Sequence, residues 1–243
     1  MSQVIALCGL SNCGKSTSLK YLDPSETFII SCTSKQLQIP GFRKKYQKAT
    51  VDDNKLCGNW LISNSYEKIT KILKVISKTR PEIKTVCLDD CNYLLSNETF
   101  QNALVKGYEK FSLMSKNYYD LIQTCQELRD DLTIIFISHI ENFGTDIDPQ
   151  YRMWTTGKML TNQINLDGLF SYIIYAERYL DESSEEVKYR FKTKTDGNDT
   201  CRSVAGCFKD KYIEPNMQLV IDTINKFELG EFDDESEDET NVE

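Results

Sequence analysis

The residues best equipped for chemistry lie near the start of the chain, in Gly9-Leu10-Ser11-Asn12-Cys13-Gly14-Lys15-Ser16-Thr17. Two glycines with four residues between them, followed directly by Lys and Ser, make a loop whose backbone N–H groups can converge on phosphate oxygens. Gly9 and Gly14 admit a close backbone approach that a Cβ would block. Lys15 offers a cation to the β- and γ-phosphates, and the Ser16 hydroxyl suits a Mg2+ ion. A nucleoside triphosphate is therefore expected on residues 9–17. ATP is preferred to GTP because no NKxD tetrapeptide for reading guanine is present.

Three further groups can complete such a site. Asp89-Asp90 end the run Thr85-Val86-Cys87-Leu88. There Asp89 would hold Mg2+ through its water shell and Asp90 would orient an attacking water, or both would be solvated caps of a strand end. Ser138-His139 end the run Leu132 to Ile137, and His139, the single histidine, either senses the γ-phosphate or is a satisfied structural residue. Lys192, Lys194 and Arg202 surround a turn. A cation there, Arg202 above all, could reach the γ-phosphate of a neighbouring subunit, or simply face solvent. Cys13 sits inside the loop, where alkylation would block nucleotide binding.

These side chains meet only if the intervening chain forms the right elements. Val4 to Leu7 reads as the strand feeding the loop and Ser16 to Leu22 as the helix leaving it. Thr27 to Ser31, opened by Asp23-Pro24-Ser25, reads as a second strand. Tyr66 to Arg80 has Ile69, Ile72, Leu73 and Ile76 at helical spacing and is ended by Pro81. Thr85 to Leu88 and Leu132 to Ile137 read as buried parallel strands, which brings Asp89 and His139 to the C-terminal sheet edge where ligands bind. Phe100 to Leu128 reads as one long helix with Leu104, Tyr108, Phe111, Leu121 and Cys125 on one face. Asn142 to Leu160 has no periodicity and reads as a long loop, functional or mobile. An antiparallel hairpin over Leu169 to Leu180 and Val187 to Thr195 precedes a last helix, Ile213 to Phe227.

Composition narrows the class. Charged residues at 27% and hydrophobic ones at 40% fit a globular domain, and no apolar run approaches the roughly 20 residues of a membrane helix. With no signal peptide visible, cytoplasmic residence is expected. Nine scattered cysteines without a CxxC pair read as reduced thiols rather than as a zinc site or a disulfide framework. Residues 228–243 carry nine acids and no Lys or Arg, leaving 28 acids against 29 basic residues in the rest of the chain. That terminus reads as an acidic disordered tail that mimics nucleic acid, recruits a protein partner or only solubilises. Between Lys35 and Lys48, Phe42, Arg43, Lys44, Lys45 and Tyr46 interleave rings with cations, a mixture suited to single-stranded nucleic acid or to a solvated loop.

Taken in order, GLSNCGKS, TVCLDD, FISH, the loop to TTGKML and the hairpin ending in TKTDGNDTCRS resemble the bacteriophage RecA-like P-loop ATPases grouped with phage single-strand annealing and recombination proteins. The resemblance covers nearly all of residues 1–227. It implies an α/β RecA-like domain with a mainly parallel central sheet flanked by helices and a C-terminal antiparallel hairpin. It also implies ATP with Mg2+, single-stranded DNA binding, and a homo-oligomer with nucleotide at the subunit interface. The strand-end glutamate that activates water in that family has no counterpart after Thr27 to Ile30, which leaves Asp90 or Glu141 as substitutes. Two other functions use the same loop: a small-molecule or nucleoside kinase, with Arg152 as the lid cation, and a nucleotide-gated adaptor that binds no DNA.

Overall fold

The apolar runs are explained by burial on two sides. Along a strand successive side chains point to opposite faces, so a run apolar at every position needs cover above and below. The computed structural model describes residues 1–52, 55–107, 109–155 and 165–231 and has this arrangement. On one face Val4, Ala6, Cys8, Phe28, Ile30, Val86, Leu88, Ile134 and Phe136 form one core cluster. Their alternates Ile5, Leu7, Ile29, Cys87, Ile135 and Ile137 form the second, on the other face.

The strands are β1 (Gln3–Cys8), β2 (Thr27–Ser31), β3 (Thr50–Asp52), β4 (Lys55–Cys57), β5 (Trp60–Ile62), β6 (Thr85–Asp89), β7 (Thr133–Ser138), β8 (Ile140–Asn142), β9 (Tyr151–Met153), β10 (Tyr172–Asp181), β11 (Glu186–Lys192) and β12 (Tyr212–Ile213). Eight of them form one sheet in the order β12-β11-β10-β1-β7-β6-β2-β5. Pairing is parallel from β10 through β5 and antiparallel only at β10-β11 and β11-β12. The helices are α1 (Phe42–Lys45), α2 (Tyr66–Thr79), α3 (Asn92–Gln101), α4 (Glu109–Gln126) and α5 (Met217–Glu228). Ile69, Ile72, Leu73 and Ile76 of α2 and Leu121, Ile122 and Cys125 of α4 cover the first face. Phe42 of α1 and Met217, Val220, Ile221 and Ile224 of α5 cover the second. The chain is thus an α/β protein with a large, mostly parallel central sheet flanked by helices.

Several expectations change. The segment leaving the phosphate loop is a six-residue 3₁₀ helix, Ser16–Tyr21, rather than an α-helix. Ser18 Oγ donates to the Lys15 carbonyl at 2.6 Å, and Pro24 lies just beyond, so hydroxyl competition and proline sterics keep the segment short. The long helix expected over Phe100 to Leu128 is two helices, α3 and α4, with Gly107 at φ +100° between them. Leu104 is 96% exposed instead of lying on a core face, while Tyr108 lies outside the described residues. Part of the expected loop Asn142 to Leu160 is ordered by β8 pairing with β9; its stretch 156–164 lies outside the described residues. So does the tail from residue 232. All nine cysteines are free thiols, and among the described residues no helix is long and apolar enough to cross a membrane.

Candidate functional site

The register of the parallel strands brings the chemistry to one edge. Cys8, which ends β1, is level with Ser138, which ends β7. Leu88 of β6 is level with Phe136, so Asp89 and Asp90 emerge beside Ile137 and Ser138. The Cys91 N–H donates to the Ile137 carbonyl at 3.0 Å and ties these two strand ends together. Because β7 lies between β1 and β6, His139 stands between the phosphate loop and the paired aspartates. Loop residues, Asp90 and His139 border one cavity of about 660 Å³, lined among others by Asn12, Lys15 and Ser16.

The loop itself is built for close approach. A Cβ on Gly9 would stand 2.4 Å from the Ala176 carbonyl oxygen, so only glycine lets the loop leave β1 beside β10. Gly14 has φ +87°, a conformation in which a side chain is strained, and Asn12 has φ +60°. Alternating left- and right-handed residues of this kind turn successive N–H groups toward one point, the geometry of an anion nest. With only a short 3₁₀ helix behind it, an anion at this loop would be met by that nest and by Lys15. Lys15 is 6% exposed, and its Nζ donates to the Gly9 and Leu10 carbonyls at 2.8 Å each. Burial lowers its pKa, a shift opposed by Cys13, Asp90, Cys8 and Asp89.

At the floor, Ser16 Oγ donates to Asp89 Oδ1 at 2.7 Å. Burial, reinforced by Asp90, pushes the Asp89 carboxyl up to about 6 against the pull of the Ser16 hydrogen bond, Lys35 and Lys15. A buried carboxylate touching a hydroxyl is a donor set short of positive charge, which fits a hard divalent cation. Among the described residues no cluster of three or more His, Cys, Asp or Glu could hold a metal unaided. Mg2+ characteristically uses one or two carboxylates with phosphate and water oxygens, so Ser16 and Asp89 would hold it only together with a nucleotide.

Asp90 is also buried, at φ +57°. Only three described non-glycine residues have positive φ, and Asn12 and Asp90, two of them, sit in this cavity. Such backbone outliers persist where the surroundings over-determine them, commonly at working sites. His139 Nε2 is 3.6 Å from Asp90 Oδ1, and its ring packs edge-on against Tyr93 at 6.2 Å. Burial lowers the His139 pKa, helped by Lys15 and opposed by Asp90, so a neutral ring faces the cavity at neutral pH.

No family model matches this chain, and no curated protein matches its sequence.

The site residues expected from sequence sort into those that meet and those that do not. Ser11, Asn12, Cys13, Gly14, Lys15, Ser16 and Thr17 line the cavity with Asp90 and His139, and Asp89 reaches it through Ser16. Leu10 is 54% exposed and contributes its carbonyl to Lys15. Glu141, the other candidate for orienting water, is instead held by Arg152 Nε at 2.9 Å and by the Thr155 hydroxyl. Arg202 is exposed and exchanges backbone hydrogen bonds with Ile173, away from the residues lining the cavity. Lys192 is not an available finger: only 2% of its side chain is exposed, and it pairs with Asp199, with Asp196 at 2.8 Å and with Glu177 at 3.8 Å. Cys13 is 2% exposed and burial raises its pKa, so its thiol is shielded from alkylation.

The aromatic-cationic stretch also needs correction. Phe42 and Tyr46 are both 3% exposed and stack at 5.0 Å, with Trp60 edge-on to Phe42 at 5.0 Å, so they are core side chains rather than base platforms. Arg43, Lys44, Lys45 and Lys48 remain exposed. Residues that sequence reasoning missed come from distant segments: Thr33, Lys35 and Gln38 after β2, Tyr93 of α3 and Tyr189 of β11. Tyr189 pairs with Arg178 where the hairpin runs past the last β1-β10 pair, and its ring stands over Gly14. Nothing in its alternating strand signals that contact.

Proposed function

We propose that this chain is a cytoplasmic, Mg2+-dependent ATPase on a RecA-like core that binds single-stranded DNA. The observation that carries the reading is the 2.7 Å contact of Ser16 with Asp89, at the floor of a cavity that Lys15, Asp90 and His139 share. When bound, Mg2+ would neutralise charge developing on the phosphates. Lys15 and the loop amides bind the β- and γ-phosphates, Asp90 accepts a hydrogen bond from the attacking water, and neutral His139 meets the γ-phosphate edge. The position of β7 between β1 and β6 supports the RecA-like assignment, because it adds a polar strand end between loop and metal carboxylate.

The exposed cations Arg43, Lys44, Lys45 and Lys48 support contacts to a nucleic-acid backbone, without the ring stacking expected from sequence. Assembly would bring Arg202 of one subunit to the nucleotide of the next, and the acidic tail would compete for the DNA groove or recruit a protein. The kinase reading is weaker, because its lid cation Arg152 is committed to Glu141 and to the face of Phe143 at 4.9 Å. The test is ATP hydrolysis by the purified chain with and without single-stranded DNA at two salt concentrations. Stimulation that fades with salt is expected, since backbone contacts release counterions. ADP release only in the presence of a phosphoryl acceptor would replace the ATPase by a kinase. Mg2+-dependent nucleotide binding without turnover or DNA affinity would leave an adaptor.

A further inference from the structure

We propose that Lys35 is a second phosphate-reading cation of this site, contacting the terminal phosphate of a bound nucleoside triphosphate from the β2 side. The inference rests on the ATPase reading and adds to it a residue that discriminates triphosphate from diphosphate.

The position follows from register. Ser31, the last residue of β2, is level with Asp89, and the Cys32 N–H donates to the Asp89 carbonyl at 2.9 Å. The chain leaving β2 therefore starts beside the metal carboxylate. Its next turns put Thr33, Lys35 and Gln38 on the wall of the cavity that holds the phosphate loop, Asp90 and His139. Lys35 is exposed, and among the described residues it makes no ion pair and no hydrogen bond. Other cations of the chain are committed: Lys15 is held by loop carbonyls, Arg152 by Glu141, and Lys192 by three acids. Among the described residues Lys35 is a long cation without an ion-pair or hydrogen-bond partner, at the wall of the cavity.

Its charge also registers in the site. It helps hold the His139 ring neutral. The chemistry calls for such a group. A triphosphate carries more negative charge than Lys15 and one divalent ion neutralise, and Asp90 adds a carboxylate beside the terminal phosphate. A fixed cation aimed there stabilises the triphosphate and the charge that moves as its bond breaks. A diphosphate, ending at the β-phosphate inside the loop, has no group for Lys35 to meet.

The experiment measures equilibrium binding of MgATP and MgADP to the full chain and its Lys35→Ala, Lys35→Arg and Lys15→Ala variants, at one salt concentration. Lys35 is solvent-facing, so its variants should melt with the wild type. Loss of one charge-assisted hydrogen bond should weaken MgATP about 10- to 100-fold, leave MgADP within about threefold, and be largely restored by Arg. Lys15→Ala should weaken both nucleotides. An unchanged ATP-to-ADP ratio in Lys35→Ala, with the wild type binding both, overturns this inference alone. A wild type that binds neither nucleotide overturns the ATPase reading and this inference together.

Discussion

Gly9→Ala tests the contact by which the sheet fixes the phosphate loop. The added Cβ would stand 2.4 Å from the Ala176 carbonyl oxygen and 2.8 Å from Cys13 Sγ, where ordinary contact begins at 3.4 Å. Loop and strand must therefore part by the difference between 3.4 and 2.4 Å, about 1 Å. Ala176 cannot easily yield, because it is 3% exposed and its strand is paired with β1 on one side and with β11 on the other. Overpacking of this kind costs about 1–3 kcal/mol. For a chain of this size each kcal/mol is worth about 2–4 °C, so the melting temperature should fall by about 2–12 °C. Because Lys15 is anchored on the Gly9 carbonyl, MgATP affinity should fall in the same variant. The assay is thermal unfolding by circular dichroism without nucleotide, followed by MgATP titration. A variant that melts with the wild type and binds MgATP equally well would refute the close-approach argument.

Four other outcomes follow from the same geometry. Asp89→Ala should remove Mg2+ stimulation of turnover, and persistent stimulation would show that the Ser16-Asp89 pair is not the metal site. Asp90→Asn keeps a residue tolerant of φ +57° and should fold, yet lower turnover by about 100-fold or more with nucleotide affinity little changed; wild-type turnover would discard Asp90 as the water-orienting group. His139 has a folded pKa below its unfolded value, so the stability its neutral form contributes is present above the unfolded pKa of about 6.5 and is lost as pH falls through the folded one. The fall in melting temperature from pH 7.5 to 5.5 should therefore be smaller in His139→Asn, and equal falls would reject the assignment. Replacing Arg43, Lys44 and Lys45 by Ala should flatten the salt dependence of single-stranded DNA affinity by about two in log-log slope, and an unchanged slope would move the DNA contact elsewhere.

Local information was legible where one short segment carried both the pattern and its consequence. The strand over Thr27–Ser31 coincides with its apolar run, and Tyr66–Thr79 is the helix its spacing announced. The glycine-rich loop was readable because Gly9 and Gly14 act through their own backbone. The helix leaving it was legible in its bounds but not in its 3₁₀ form. The acid pair was legible as a strand end, but that Asp90 borders the cavity while Glu141 is bound elsewhere was not. It depends on Arg152 and Thr155, which occupy Glu141, and on a left-handed backbone that composition does not announce.

Phe42 and Tyr46 illustrate the same division. Rings interleaved with cations look identical in sequence whether they face bases or a core, and only the packing of Trp60 and the sheet settled the matter. Sequence alone determined the parts: which runs become strands, where the glycine-rich loop turns, which acids end a strand. Tertiary structure decided their neighbours, placing β7 between β1 and β6, Tyr189 over Gly14, and Lys35 on the cavity wall. The physical reason is range: periodicity and turn chemistry act over a few residues, whereas strand order and burial depend on which distant surfaces exclude water together.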